Sequence, residues 1–330
     1  MDEGRGPRTR GLVLSGRRAA LIVTFTLGLG SGAFAFVNAT PDPSAPSAHE
    51  SYVLPITSPL DQGGSDLCWA YATLSMLETD YMVRHPGSHL TLSRGALQLE
   101  SIADRARRAI QGTSSHFEDG GIAVDAIRLI QQGGLVAAGD FHDIVPSDPI
   151  FASLKRALAT SPTADSRGAL IERNLREWIG AIPARTHEDG SIVTPQQLAA
   201  DVLDGRAWAE FDIAKDGKSG WRPSDDPDAR PETRVDYVGL DKAIALIHQS
   251  LARGEAVVWG STDDHALLIY GGEYERGRPV SYLVKDSFAP YLYRASAASI
   301  HAILTDITVT VPPPAAEAQS EAATPERTVQ

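Results

Sequence analysis

The chain has 330 residues, 42% of them hydrophobic, and a formal net charge of −12, a length that allows a substantial core in one or two domains. Its 30 basic residues are outnumbered by 42 acidic ones, so no basic surplus exists to meet phosphates and nucleic-acid binding is not expected. The single cysteine, Cys68, excludes an intrachain disulfide.

The first segment reads as an export signal and not as part of the fold. Arg17-Arg18 precede an uncharged apolar run, Ala19 to Val37. Either Ala33-Phe34-Ala35 or Val37-Asn38-Ala39 fits a small-residue cleavage site within it. The run is long for a signal core, so a membrane anchor is the alternative reading of residues 1–39. Both readings put the body outside the cytoplasm, periplasmic or extracellular. Without residues 1–39 it keeps 25 basic and 40 acidic groups, a net charge of −15. In an oxidising compartment a lone thiol is a liability unless it is buried or used. Residues 40–51, "TPDPSAPSAHES", have the composition of a linker, and residues 312–330 that of a disordered tail. The compact part is then residues 52–311.

Leu67, Ala70, Leu74, Leu77 and Tyr81 step by three and four, which predicts a helix. A second helix is expected in "LSRGALQLESIADRARRAI", and a third over residues 124–130, ended by Gly133-Gly134. Residues 147–235 read as mainly helical and polar. Within them Thr194 caps a helix that has Pro195 in its first turn and Gln197 three after the cap, and "RPSDDPDARPETR" is loop. Leu240, Ile244, Ile247 and Leu251 mark one more helix, stopped by Gly254. The period then changes. Residues 257–259, 266–270 and 280–284 read as strands, with "GGEYERGR" turning between the last two. Helices first and strands last predict an α+β protein with two unlike lobes.

Taken alone, Cys68 is a small buried hydrophobe. Its position argues for more. With Ser65 or Asp66 as cap, Cys68 falls in the first turn of the helix, where unpaired N–H groups and the helix dipole favour an anion. Gln62 lies in the glycine-containing loop before it, and its side-chain amide and the Cys68 N–H can together hold the oxyanion of an acyl-transfer intermediate.

Such a nucleophile needs a base, and the base an orienting group. Of nine histidines, His265 stands apart because it begins a strand while a returning strand ends at Asp286. If the turn spans 272–279, residue 271 pairs with 280, and His265 becomes the direct cross-strand neighbour of Asp286, with Cβ atoms about 4.5–5.5 Å apart. A one-residue slip turns one of them to the other face.

These segments resemble the papain-like cysteine peptidases, including the bleomycin-hydrolase branch. "DQGGSDLCWAYA" is similar to the family's active-site segment in the spacing of Gln62, Cys68 and Trp69, although of C-G-[SA]-C-[WY] only the last two positions agree. "DHALLIYGG" is similar to the family's His-containing strand, and "YLVKDSFAP" to its V-K-N-S-W-G, with Asp286 for Asn, Phe288 for Trp and Ala289 for Gly. "EDGGIAVDAIRLIQQGGLV" resembles the family's glycine pair and following helix. The resemblance covers roughly residues 52–136 and 252–292. It implies a two-lobe fold with a helical N-terminal lobe, an antiparallel β C-terminal lobe and a largely helical insertion at about 140–240. It also implies a Cys68–His265–Asp286 triad with Gln62 in the oxyanion hole. Trp69, Gly120, Gly121, Ile122, Ala123 and Ala266 would then border a peptide or protein substrate. Only the linker separates the signal from the first motif, so control by removal of a long propeptide is not expected.

No cofactor or metal is expected. "FDIAKDGKSGW" has Asp212, Asp216 and Gly217 in the manner of a calcium loop, but Ala214 and Pro223 stand where ligands are needed. The reaction expected is peptide hydrolysis through a thioester. Acyl transfer through the same intermediate and a non-catalytic peptide-binding module are the alternatives.

Overall fold

In the computed structural model, residues 49–111, 119–160, 163–178, 180–215, 217–224, 230 and 233–312 are described. The segment expected as signal or anchor (1–39) and all of the expected tail (312–330) after residue 312 lie outside them. In chain order the elements are β1 (His49–Val53), α1 (Cys68–Arg84), α2 (Arg94–Ile110), α3 (Ala123–Gly133), α4 (Asp148–Thr160) and α5 (Ala164–Trp178). A hairpin of β2 (Thr186–Glu188) and β3 (Ser191–Val193) follows, then α6 (Pro195–Leu203), β4 (Ala207–Ile213), β5 (Gly220–Pro223), β6 (Arg234–Val238) and α7 (Leu240–Ala252). The chain closes with β7 (Val257–Ser261), β8 (His265–Glu275), β9 (Arg278–Lys285), β10 (Leu292–Ser296), α8 (Ala297–Ile303) and β11 (Leu304–Val311). No helix among the described residues is long and apolar enough to cross a membrane.

The fold is mixed α+β, organised on one sheet. Its strands run in the order β10-β9-β8-β7-β11-β4-β6-β5, with β1 joined to β8, and all pairs are antiparallel except β4 with β6. The alternation of side chains along a strand assigns the two faces. Val258 and Leu268 pack with α1, α3 and α6, whereas Val257, Trp259, Leu267 and Ile269 pack with α7 and α8. A third cluster joins α2, α4 and α5.

Two expectations need correction. Residues 147–235 hold α4, α5 and α6 but also five strands, of which β4, β5 and β6 extend the main sheet. In β6, "RVDYV", polar and apolar residues alternate from Arg234 to Tyr237, but the strand is only five residues long and every residue from Val235 to Val238 is buried, the polar Asp236 included. His49–Ser51, expected in the linker, pair as part of β1 against Glu273–Glu275.

The β8–β9 hairpin also differs from its expected register. Arg276 and Gly277 alone form the turn, both at positive φ (50° and 73°), the backbone of a tight two-residue hairpin. Gly271 and Gly272 lie within the strand. A side chain at Gly271 would collide with the carbonyl of Tyr52, so glycine there admits β1. Near the site Leu268 pairs with Lys285, a pairing two residues away from the one expected. Because the side-chain period is also two, the shift leaves His265 and Asp286 on one face.

α1 is buried on every side from Trp69 to Met82, polar residues included. The carboxylate of Glu78, with no exposure, accepts from Arg94, from the Leu92 N–H at 2.8 Å and from Thr57 Oγ1 at 2.5 Å. Lys285 of β9 donates to the same Thr57 hydroxyl at 2.8 Å. Burial raises the Glu78 carboxyl, but Arg94, Lys285 and the Leu92 N–H together bring it below its ordinary value. Burial pushes Lys285 down to about 8 against the pull of Glu78. Asp80, also fully buried, is raised to about 6 by desolvation although it accepts from Arg206 at 2.9 Å and the Ala256 N–H at 3.0 Å.

Removing one member of such a network leaves charge buried without compensation. Glu78→Ala is expected to cost about 3–5 kcal/mol of stability, measured by urea unfolding. A loss within about 0.5 kcal/mol, the size of an ordinary surface change, would mean that the network carries no such weight.

Candidate active site

Cys68 is the first residue of α1 and is half-buried. The expected side-chain cap is absent. Leu67 occupies the cap position without a side-chain hydrogen bond, because Ser65 is committed to the preceding turn. Its Oγ donates to the Gln62 carbonyl at 2.8 Å, and the Gln62 Nε2 donates to the Ser65 carbonyl at 2.5 Å. Gly63, at φ 61°, allows that turn. As the first helical residue, Cys68 presents an N–H with no partner inside the helix.

Gln62 is buried at 4% exposure. Its backbone N–H donates to the Ser287 carbonyl at 3.1 Å, and its Oε1 accepts from Ser287 Oγ at 2.5 Å. The amide is thereby orientated, with its carbonyl end held by Ser287 and its NH2 end on the side of Ser65. Ser287 was not anticipated. Nothing local in the sequence pairs positions 62 and 287, and only the folded chain brings them together.

His265 opens β8 after a three-residue turn from β7, with Ser261 as its ladder partner. Its Nε2 lies 2.8 Å from Asp286 Oδ1. The same Asp286 oxygen accepts the Phe288 N–H at 2.9 Å. Given the pairing of Leu268 with Lys285, Asp286 stands diagonal to His265 and not directly opposite. An imidazole and a carboxylate are long enough to close that diagonal. The ring also feels Cys68 electrostatically. Burial opposes a charged ring at His265, yet the hydrogen bonds and charges of Asp286 and Cys68 outweigh it and raise the pKa to about 9. His265 is therefore an imidazolium at neutral pH. Phe288 lies over it with ring centroids 5.1 Å apart.

The remaining expected residues fall into two groups. Trp69 is buried behind Cys68, and its indole N–H donates to the Asp119 carbonyl at 2.7 Å. Gly121 lies against that indole, so close that a Cβ there would sit 2.7 Å from Trp69 Cε2. The Gly120 carbonyl accepts from Arg105. Trp69, Gly120 and Gly121 thus form one unit at the start of α1. Ile122 caps α3, and both Ile122 and Ala123 are buried, Ala123 in the core shared with α1. Ala266 borders a small pocket with Tyr71, Ala72, Ser75 and Asp286, on the α1 side of the sheet. Among the described residues no group of three or more His, Cys, Asp or Glu side chains is arranged to hold a metal ion.

No family model matches the chain, and no curated protein matches it in sequence. Among solved structures its fold is similar to that of PepW, a cysteine peptidase of Lactobacillus rhamnosis HN001, with a TM-score of 0.62 and 15% identity over 78% of this chain and 81% of that one. The proform of the Amb a 11 cysteine protease, a ragweed pollen allergen, aligns with a TM-score of 0.39 and 14% identity over 84% of this chain and 68% of that one.

The fit of Trp69 to Gly121 is testable. The indole is buried and cannot swing away, so Gly121→Ala must displace the 119–122 segment. The expected cost is about 1–3 kcal/mol, as for overpacking, read as a lower Tm with altered tryptophan fluorescence. An unchanged Tm would show that this contact is loose.

Proposed function

We propose that the chain is an exported cysteine peptidase with a two-lobe papain-like fold, hydrolysing peptide bonds through Cys68, His265 and Asp286. The observation that carries this reading is the 2.8 Å contact of His265 Nε2 with Asp286 Oδ1, on a ring whose ionisation Cys68 also shifts. The likeness to PepW supports the fold it requires. Export is drawn from the composition of residues 1–39.

In this reading the Cys68 sulfur attacks the scissile carbonyl and a C–S bond forms. The carbonyl oxygen becomes an oxyanion, met by the Cys68 N–H and the Gln62 Nε2. The His265 imidazolium gives its proton to the leaving amine as the C–N bond breaks, leaving a thioester. The neutral ring then takes a proton from water, whose oxygen attacks the thioester and releases the acid and the thiol. Asp286 holds the ring orientation throughout and stabilises its charged form. Trp69, Gly120, Gly121 and Ala266 flank the path of an extended peptide, with Ile122 and Ala123 behind them.

The decisive experiment is hydrolysis of a peptide amide together with labelling by an electrophilic thiol trap. Cys68→Ala is expected to abolish both, and residual turnover in that variant overturns the assignment. Gln62→Ala should lower kcat by about 10²–10³.

The pH profile adds a signed test. His265 has its folded pKa raised to about 9, so the charged ring persists through neutrality and is lost as pH rises through that value. The alkaline limb of kcat/KM is expected near pH 9. Asp286→Asn keeps a hydrogen-bond acceptor but removes the negative charge, so the limb should move to lower pH. A limb that stays in place in Asp286→Asn would separate Asp286 from the ionisation that governs activity.

A further inference from the structure

The loop that carries Gln62 is fastened to the loop after Asp286 at more points than the triad uses. Asp61, immediately before Gln62, is held three ways. Its carbonyl accepts from Tyr71 of α1 at 3.3 Å, its Oδ1 accepts the Gly63 N–H at 2.8 Å, and its Oδ2 accepts from the Tyr291 hydroxyl at 2.9 Å. The Gly63 N–H and the Tyr291 hydroxyl hold the Asp61 carboxyl below its ordinary range, so the acceptor is charged at neutral pH and the bonds to it are charge-assisted.

Tyr291 is itself fixed. It lies at φ 57°, a left-handed conformation unfavourable for a bulky side chain and maintained only where the surroundings over-determine it. Here its N–H donates to the Phe288 carbonyl at 2.8 Å, and its carbonyl accepts the Asp286 N–H at 2.7 Å. Tyr291 is thus bonded through its backbone to the residue that orients His265 and through its hydroxyl to the residue before Gln62.

The bonds between the two loops form a ladder. Ser287 grips the backbone and side chain of Gln62, and Tyr291 grips Asp61. Without the Tyr291 rung, Asp61 keeps only the Gly63 and Tyr71 bonds, and the loop that carries Gln62 is tied to the 286–291 loop through Ser287 alone, which gives the start of that loop more freedom. An oxyanion hole acts through donors fixed before the reaction, so such freedom lowers transition-state stabilisation more than substrate affinity.

We infer that Tyr291 is a positioning residue which, through Asp61, holds the Gln62 amide in place for the developing oxyanion. This rests on the cysteine-peptidase reading above and adds to it a pair, Asp61 and Tyr291, that touches neither the sulfur nor the imidazole.

The test is a double-mutant cycle on peptide-amide hydrolysis by the full chain, using Tyr291→Phe, Gln62→Ala and the combination. Tyr291→Phe removes one hydroxyl from a partly exposed ring, so Tm should stay at the wild-type value. Losing the contribution of one hydrogen bond is expected to lower kcat by about three- to tenfold, with KM nearly unchanged. Alkylation of Cys68 by iodoacetamide, which forms no oxyanion, should proceed at the wild-type rate. With Gln62 already replaced by Ala, Tyr291→Phe should lower kcat no further. Equal losses in both backgrounds, a rise in KM without a fall in kcat, or slower alkylation would each overturn the positioning role alone. Wild-type chain that is alkylated yet hydrolyses no amide would instead overturn the peptidase reading, and this inference with it.

Discussion

Glu78 lies about three helical turns beyond Cys68 on α1, and Lys285 immediately precedes Asp286 at the end of β9. Both are buried, and the hydroxyl of Thr57 bridges them. Arg94, at the start of α2, completes the group through Glu78 and also bonds Ser75 at 3.1 Å. This network ties the helix that carries the sulfur to the strand that delivers the orienting carboxylate. Buried charges contribute little net stability compared with well-packed apolar residues, because desolvation offsets most of their attraction. Their consequence here is register. An apolar contact tolerates a slide of α1 along the sheet, whereas a carboxylate that must meet a guanidinium, a hydroxyl and a backbone N–H at once does not. The placement of α1 against β9 inherits that precision.

The polar network also explains why α1 shows so weak an amphipathic pattern. A surface helix has one apolar stripe, and the spacing of Leu67, Ala70, Leu74, Leu77 and Tyr81 marks one. The opposite side is equally enclosed, with Thr73, Ser75, Glu78, Thr79 and Asp80 all buried. The sequence therefore discloses the helix but not its depth. No local feature tells a solvated Glu78 from one that receives Arg94, since the partners lie in other elements. The start of α1 misleads for a related reason. Ser65 and Asp66 are good capping residues by type, but Ser65 is drawn into the turn that holds Gln62, and tertiary demand overrides capping preference.

Elsewhere legibility follows how local the determinant is. Thr194 and Gln197 form a reciprocal capping box, four residues that settle their own geometry. Gly134 at φ 91° ends α3 in the same self-contained way. The β2–β3 hairpin carries an equally local signal, since Asp189-Gly190 at positive φ is a strong two-residue turn, yet its surroundings read as mainly helical and polar. β4 and β6 do carry a short alternation, Ala209-Glu210-Phe211-Asp212-Ile213 and Arg234-Val235-Asp236-Tyr237, but each run is brief and lies in a polar stretch that reads as helical. For the β8–β9 hairpin, several glycines compete to form the turn. Arg276-Gly277 forms it, while Gly271 serves the close passage of β1. Which glycine turns depends on a strand more than two hundred residues earlier in the chain.

That hairpin shows which part of a pairing argument is robust. The expected partner of His265 was displaced by two residues, yet the two side chains still meet at 2.8 Å. Face is a matter of parity, and an even displacement conserves it, while side-chain length absorbs the diagonal. The departures from the pattern that the chain resembles obey the same logic of local compensation. Phe288, where that pattern has Trp, lies on the His265 ring, and its N–H engages the Asp286 carboxylate that contacts the ring. Beyond it, Tyr291 returns to bond both the Asp286 N–H and the Asp61 carboxylate. Cys68 and His265 sit on a helix start and a strand start, which pack on the core. Gln62 and Asp286 sit on loops that hydrogen-bond one another. Substitution in these loops is tolerated where the bonds between them persist, and that is the condition under which an altered sequence keeps the same local geometry.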